Sequence, residues 1–274
     1  MPKTSDLARK VILSSELKRY VDLNTDFGQT SDLSHFEDAE HSLLAYVSSV
    51  NIPCCVHDGT PSQILRAIEQ AKLFNCAIGA HIGYPDPGSR GYEKVEMPAD
   101  ELRGWLMVQI GAFRGLLQPY RLDIEHIRPH GALYRAFVDD EDTARFVAAT
   151  LYQINPWFIL VGPAGPLLEQ IEREVGIRTA GEIYLGKRYN ADGTLLLDRF
   201  HEDLPAQGVL DQARQLIRDA SLTSHTGETI KVRFQTLHIS PKLAGGVALA
   251  EKLCQVLGQP VPLSVAAVGE SGWV

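Results

Sequence analysis

A seven-stranded (β/α) barrel is expected of this 274-residue chain, and three observations lead there. Short apolar runs alternate with longer amphipathic stretches, which implies a parallel α/β sheet with helices outside it. Seven such units follow one another with no linker-like or low-complexity stretch and no internal repeat, which points to a closed or nearly closed barrel. Hydrophobic residues make up 45% and charged residues 22%, ordinary globular values, and barrels of about 250 residues form one domain. A doubly wound open sheet is the alternative architecture.

The units run in order. Tyr20–Asn24 is the first apolar run, followed by a helical stretch over 36–48. Val50–Cys54 is the second; Thr60 then caps a helix with Pro61 at its first position, reaching about Phe74. Cys76–Ala80, the third, leads into a Gly/Pro-rich loop, Gly83–Gly91, and Pro98 with Asp100 and Glu101 opens a long helix to Leu117. Its stripe of Leu102, Leu106, Ile110 and Phe113 belongs to the core. Ile124–Arg128 precedes a helix over 142–153, and Trp157–Val161 precedes one over 165–174. Ile177–Ile183 is the sixth strand, with a turn at Asp192-Gly193 in its connection and a helix over 209–220. Val232–Leu237 is the seventh, and a helix over 243–257 ends the series.

Charge and composition exclude several classes. The net charge is −8 and no stripe of Lys/Arg occurs, so neither nucleic acid nor an anionic membrane surface is an expected partner. The apolar runs fall far short of the roughly 20 residues that span a bilayer. Residues 1–19 read as an N-terminal extension ahead of one domain over 20–274; Lys3, Asp6, Arg9, Lys10, Glu16 and Lys18 interrupt any signal-peptide core there. Four cysteines without C-x-x-C make no disulfide framework, and a reduced, cytoplasmic protein is expected.

In parallel barrels the functional groups sit at the carboxyl ends of the strands. The first run ends Asp22-Leu23-Asn24-Thr25-Asp26, and alternation puts Asp22, Asn24 and Asp26 on one face. Carboxylates pointing into a barrel are costly unless paired, hydrogen-bonded or bound to a cation. The second strand is expected to end at His57, of the same parity as Asn51, the third at His81, the fourth at Arg128-Pro129-His130 and the seventh at His238. Each histidine alone reads as a hydrogen-bonded structural residue, whereas their convergence at one rim points to a site. Such His and Asp groups serve as general acid and base or as ligands for a divalent metal. Gly181–Arg188 is a near miss to a phosphate-binding loop, with Arg188 in place of the required Ser/Thr. Cys54 and Cys55 read as packing residues rather than nucleophiles. Neither H-E-x-x-H nor G-x-S-x-G occurs.

These blocks, in this order, resemble the LamB/YcsF family. Its opening D-L-N-x-D-x-G-E is matched by Asp22 to Gln29, its N-I-A-C-G-F-H-A-G-D by Asn51 to Thr60, and its I-G-A-H by Ile78 to His81. K-P-H-G-A-L-Y is matched by Arg128 to Tyr134, I-L-V-G by Ile159 to Gly162, and Y-x-A-D-G-T-L by Tyr189 to Leu195. The resemblance implies a seven-stranded barrel similar to the glycoside hydrolase and deacetylase superfamily. It also implies the role of a 5-oxoprolinase subunit that opens 5-oxo-L-proline, or a related cyclic amide, to L-glutamate. ATP would be used through partner subunits, in keeping with the lack of a nucleotide motif here; a homo-oligomer is compatible with it.

Carried onto this chain, the resemblance makes Asp26 and His130 the acid/base candidates, with His57 and His81 beside them and Asp22, Asn24, Asn51, Arg128 and His238 binding substrate. Four acidic family positions are neutral: Gln29, Thr60, Gly186 in the Gly186-Lys187 pair, and Ser240. That loss raises one rival expectation, a catalytically weak or silent binding paralogue; the likeness to deacetylases raises another, a metal-dependent deacetylase-like hydrolase. For the metal, Asp26, His57 and His81 are the ligands if one is present. The expectation is no tightly bound metal, since the two histidines lie on different strands and neighbouring carboxylates are lost.

Overall fold

The computed structural model describes residues 21–29, 43–197, 203–243 and 245–263. The extension over 1–19 and most of the helical stretch over 36–48 lie outside them. Six parallel strands come first: β1 Asp22–Asp26, β2 Ser49–Pro53, β3 Ala77–Ile82, β4 His126–Pro129, β5 Ile159–Pro163 and β6 Arg178–Tyr184. After a two-stranded excursion, β7 Ser221–Thr223 and β8 Thr229–Lys231, the seventh barrel strand is β9 Thr236–His238. β9 pairs with both β6 and β1, which closes the ring and rules out the open sheet. The helices outside it are α1 Pro61–Leu73, α2 Ala99–Leu117, α3 Gly131–Asp139, α4 Glu141–Ile154, α5 Pro166–Val175, α6 Ala206–Asp219 and α7 Gly246–Leu257.

Local chemistry explains the elements. Thr60 accepts from the backbone N–H of Gln63, whose side chain accepts in return from the N–H of Thr60: a capping box, with Pro61 opening α1. The outward residues Leu23, Val50, Ile52, Ile78, Ala80, Ile127 and Leu237 are buried against the helices, together with Leu102, Leu106, Ile110 and Phe113 of α2.

Three sequence expectations are corrected. β2 stops at Pro53; Cys55 turns left-handed at φ 61°, so His57 is carried on a loop rather than by strand parity. Helix α3 begins directly after His130, where no helix was expected, because its nine residues are too few to show a full amphipathic pattern. β7 and β8 form an antiparallel pair outside the barrel, so the seventh barrel strand is shorter and later than the 232–237 run. The Asp192-Gly193 turn is present, bracketed by a bridge between Tyr189 and Leu195.

Candidate active site

The barrel interior is polar along β1 to β4, while Ile159, Val161 and Ala180 of β5 and β6 pack with Leu263 in an apolar cluster separate from the outer core. Asp22, Asn24 and Asp26 do share one face, and register places them in successive layers. At the amino end, Asp22 accepts hydrogen bonds from Ser48, Ser49 and Thr236 at 2.7, 2.5 and 2.5 Å. Burial pushes its carboxyl up to about 6, the three hydroxyls opposing. One layer up, Asn24 donates to Glu182 and Thr236 and accepts from Asn51 and His238. Asn51 in turn accepts from His126 Nε2 at 2.8 Å and donates to Asp26 at 3.1 Å. His126 fits only because its β3 neighbour is Gly79: a Cβ there would lie 2.1 Å from the ring.

Asp26 tops this column. Arg128 Nη1 lies 3.3 Å from its Oδ1, His81 Nε2 at 3.5 Å, and His238 Nε2 is 3.9 Å from its Oδ2. Burial works to raise the Asp26 carboxyl, but its histidine neighbours and Arg128, a permanent cation, hold it well below the usual carboxylate range. Arg128 is held in turn by Glu182, which also accepts from Tyr134 at 2.8 Å.

His57, His81 and His130 meet beside Asp26. His81 Nδ1 is 3.0 Å from the carbonyl oxygen of Arg128, and His130 Nε2 is 2.9 Å from that of Arg90. A carbonyl only accepts, so both nitrogens carry protons and each ring turns its other nitrogen inward. Those two, His81 Nε2 and His130 Nδ1, stand 2.9 Å apart. His57 stacks on His130 at 4.4 Å between centroids, and neither of its nitrogens has a hydrogen-bond partner among the described residues. Burial lowers all three rings below their ordinary value, His57 to about 3. Gly131, at φ 52°, lets the Gly83–Gly91 loop reach them, since a Cβ there would lie 2.2 Å from the Gly91 oxygen.

A cavity of about 520 Å³ opens on Asp26 and His130, with Arg128, Tyr134, Tyr184 and Ser240 also in its wall and Arg135, Lys187, Arg188, Lys242 and Asp203 around it. A groove of about 700 Å³ at the opposite end of the barrel, lined by Leu44–Ser48, Asn75 and Pro260 among others, holds no comparable cluster among the described residues.

The expected site residues thus divide. Asp26, His57, His81, His130, Arg128 and His238 gather at one end. Asn24 and Asn51 lie beneath, as the hydrogen-bonded support of Asp26. Asp22 is four residues back along the strand, about 13 Å at 3.3 Å per residue, and does not reach the mouth. Glu182 and His126 were missed. The signal was there: a carboxylate in the apolar run 177–183 demands a cation, as a histidine in 124–128 demands an acceptor. Gly181–Arg188 is strand and turn rather than a phosphate loop. Cys54 is buried and Cys55 exposed, and burial raises both thiols, which disfavours the nucleophilic thiolate.

Two of the neutralised positions, Gln29 and Thr60, have visible roles, and the residue after a third is ion-paired. Gln29 Nε2 is 3.2 Å from His130 Nδ1, Thr60 caps α1, and Lys187 pairs with Asp203. Asp58, near the lost acid at Thr60, grips Arg90 at 2.5 Å and so braces the carbonyl that holds His130.

Comparison with known proteins bears on this arrangement. The model of the LamB/YcsF family matches residues 21–267. One of the 5-oxoprolinase A subunits of Pseudomonas syringae pv. tomato is 30% identical over 88% of this chain and 94% of its own. The 5-oxoprolinase A subunit of Pyrococcus furiosus is 31% identical over 79% and 86%. The crystal structure of a lactam utilization protein from Thermus thermophilus superposes with a TM-score of 0.80 at 28% identity, over 89% of this chain and 99% of that one.

Proposed function

Because the chain belongs to the LamB/YcsF family, we propose that it is the lactam-opening subunit of a 5-oxoprolinase-like enzyme, acting on 5-oxo-L-proline or a close cyclic amide. The observation that carries this reading is Asp26: an ionised carboxylate, stabilised by Arg128, at the wall of a cavity it shares with His130. Hydrolysis of a lactam needs a base to take a proton from water as its oxygen attacks the carbonyl carbon. The C–N bond then breaks and the leaving nitrogen accepts a proton, giving an amine and a carboxylate. Asp26 is the base in this scheme and returns the proton. His130, with both nitrogens engaged, orients the site together with His57 and His81, while Asn51, Arg128 and His238 hold Asp26 in place. Among the cations around the cavity, Lys187 and Arg135 pair with Asp203 and Asp139, and Lys242 supplies a positive charge that suits a substrate carrying its own carboxylate.

In this reading ATP is consumed by partner subunits, in line with the word subunit in the relatives' names. Glutamate release from 5-oxoproline and ATP, measured with and without the partner subunits of the same organism, is the test. Release only in their presence is expected. Binding of 5-oxoproline without turnover in the reconstituted complex would instead establish a silent binding paralogue, the reading favoured by the neutral residues at Gln29, Thr60, Gly186 and Ser240.

A further inference from the structure

We propose that His57, His81 and His130 form a binding site for one divalent transition-metal ion, with Asp26 beside its remaining coordination position. His81 donates through Nδ1 to the Arg128 carbonyl and His130 through Nε2 to the Arg90 carbonyl. In their neutral forms both rings therefore turn unprotonated nitrogens to each other, 2.9 Å apart; that of His130 accepts from Gln29 Nε2 at 3.2 Å, whereas that of His81 meets no donor among the described residues. Two lone pairs at that separation repel, and the Asp26 carboxylate, 3.5 Å from His81 Nε2, adds a third acceptor to the same space. A cation belongs there, either a proton shared by two imidazoles or a metal ion.

His57 decides between them. It is buried, neither nitrogen has a partner among the described residues, and one of them lies with His81 Nε2 and His130 Nδ1 in a set all within 4.8 Å of one another. A proton shared by His81 and His130 leaves His57 with an unpaired buried nitrogen, a penalty of its own. A metal ion satisfies all three. Three nitrogens at about 2.0–2.1 Å from a tetrahedral ion stand roughly 3.3 Å apart; His81 Nε2 and His130 Nδ1 are at 2.9 Å, and a His57 nitrogen within 4.8 Å of both closes on them when the ion binds. The outer hydrogen bonds agree as well: metal-bound histidines characteristically donate their second N–H to a carbonyl or carboxylate, as His81 and His130 do. Imidazole ligands with a neighbouring carboxylate suit zinc, nickel or cobalt rather than magnesium or calcium.

This set differs from the Asp26, His57 and His81 expected from the sequence, and it reverses the expectation of no tightly bound metal. His130 enters because the loop carrying Arg90 turns its Nδ1 inward. Gln29, 3.2 Å from that nitrogen, stands where the family carries an acid, so restoring the acid should tighten the site. The inference does not depend on the lactam reading, and the test below reads metal rather than turnover, so either can fail alone.

Chelator-treated, full-length protein is titrated with Co²⁺, followed by its visible ligand-field absorption, and with Zn²⁺ by calorimetry. One ion per chain is expected in both. His57→Phe keeps the ring stacked on His130 and should lose the cobalt band and weaken zinc by at least about 100-fold, while Gln29→Glu should tighten it by about 10-fold. No stoichiometric binding to the wild-type chain would overturn the proposal, as would binding that His57→Phe leaves unchanged. Should His57→Phe fail to fold by circular dichroism, Gln29→Glu decides: zinc affinity unmoved by that substitution would place the ion elsewhere.

Discussion

Arg128 and Glu182 meet fork to fork inside the barrel, Nε 2.8 Å from Oε1 and Nη2 2.7 Å from Oε2, on strands that are not neighbours. Glu182 is the main anion holding Arg128, and Arg128 is the fixed charge that keeps Asp26 ionised. Breaking one half of a buried pair leaves an uncompensated charge. Glu182→Gln is therefore expected to cost about 3–5 kcal/mol in urea unfolding. A loss under about 1 kcal/mol would mean that the interior is far wetter than the geometry implies.

Asp26→Asn preserves size and a hydrogen-bonding group but removes the base. Glutamate release by the reconstituted complex should fall about 10²–10⁴-fold. Arg128 keeps Glu182, so the fold should survive, as a circular dichroism spectrum would show. A variant with near wild-type turnover would remove Asp26 from the chemistry.

Low pH should weaken the fold through His126. Burial depresses its imidazole from the ordinary 6.5 to about 4. Below 6.5 the unfolded chain binds a proton that the native chain refuses, so the stabilisation is complete above 6.5 and is lost as pH falls toward 4. That window is worth about 3 kcal/mol. Asp22 works in the opposite sense, since its raised carboxyl takes up a proton in the native state first. The comparison of wild type with His126→Gln cancels Asp22: between about pH 7 and pH 4 the wild type should lose about 3 kcal/mol more. Parallel stability curves for the two would refute this assignment.

Thr60 is expected to matter for stability rather than catalysis. Removing its capping oxygen in Thr60→Ala should cost about 1 kcal/mol, whereas Thr60→Asp, which restores the family's acid, should be within a few tenths because Asp caps as well. Thermal unfolding of the two variants checks both values.

Much of this was legible in one dimension. Period-two alternation put Asp22, Asn24 and Asp26 on one face, and the strand-end rule brought His81, His130 and His238 to the same rim. Thr60 and Pro61 announced α1 by local hydrogen bonding that needs no tertiary partner. Glu182 and His126 were obscured because their counterparts, Arg128 and Asn51, lie 54 and 75 residues away, and a lone polar residue in an apolar run does not name its partner.

The sequence by itself therefore determined the alternation of strand and helix, the caps and the polarity of the strand ends, since each depends on residues a few positions apart. Only the closed barrel decided which of those polar groups touch. Asp22 and Asp26 share a face but end about 13 Å apart, one satisfied by three hydroxyls and the other turned to the cavity. Above all, which nitrogen each histidine turns inward was set by the Arg128 and Arg90 carbonyls, and a backbone carbonyl leaves no mark in the sequence. The facing lone pairs of His81 and His130 exist only where β3, β4 and the Gly83–Gly91 loop converge.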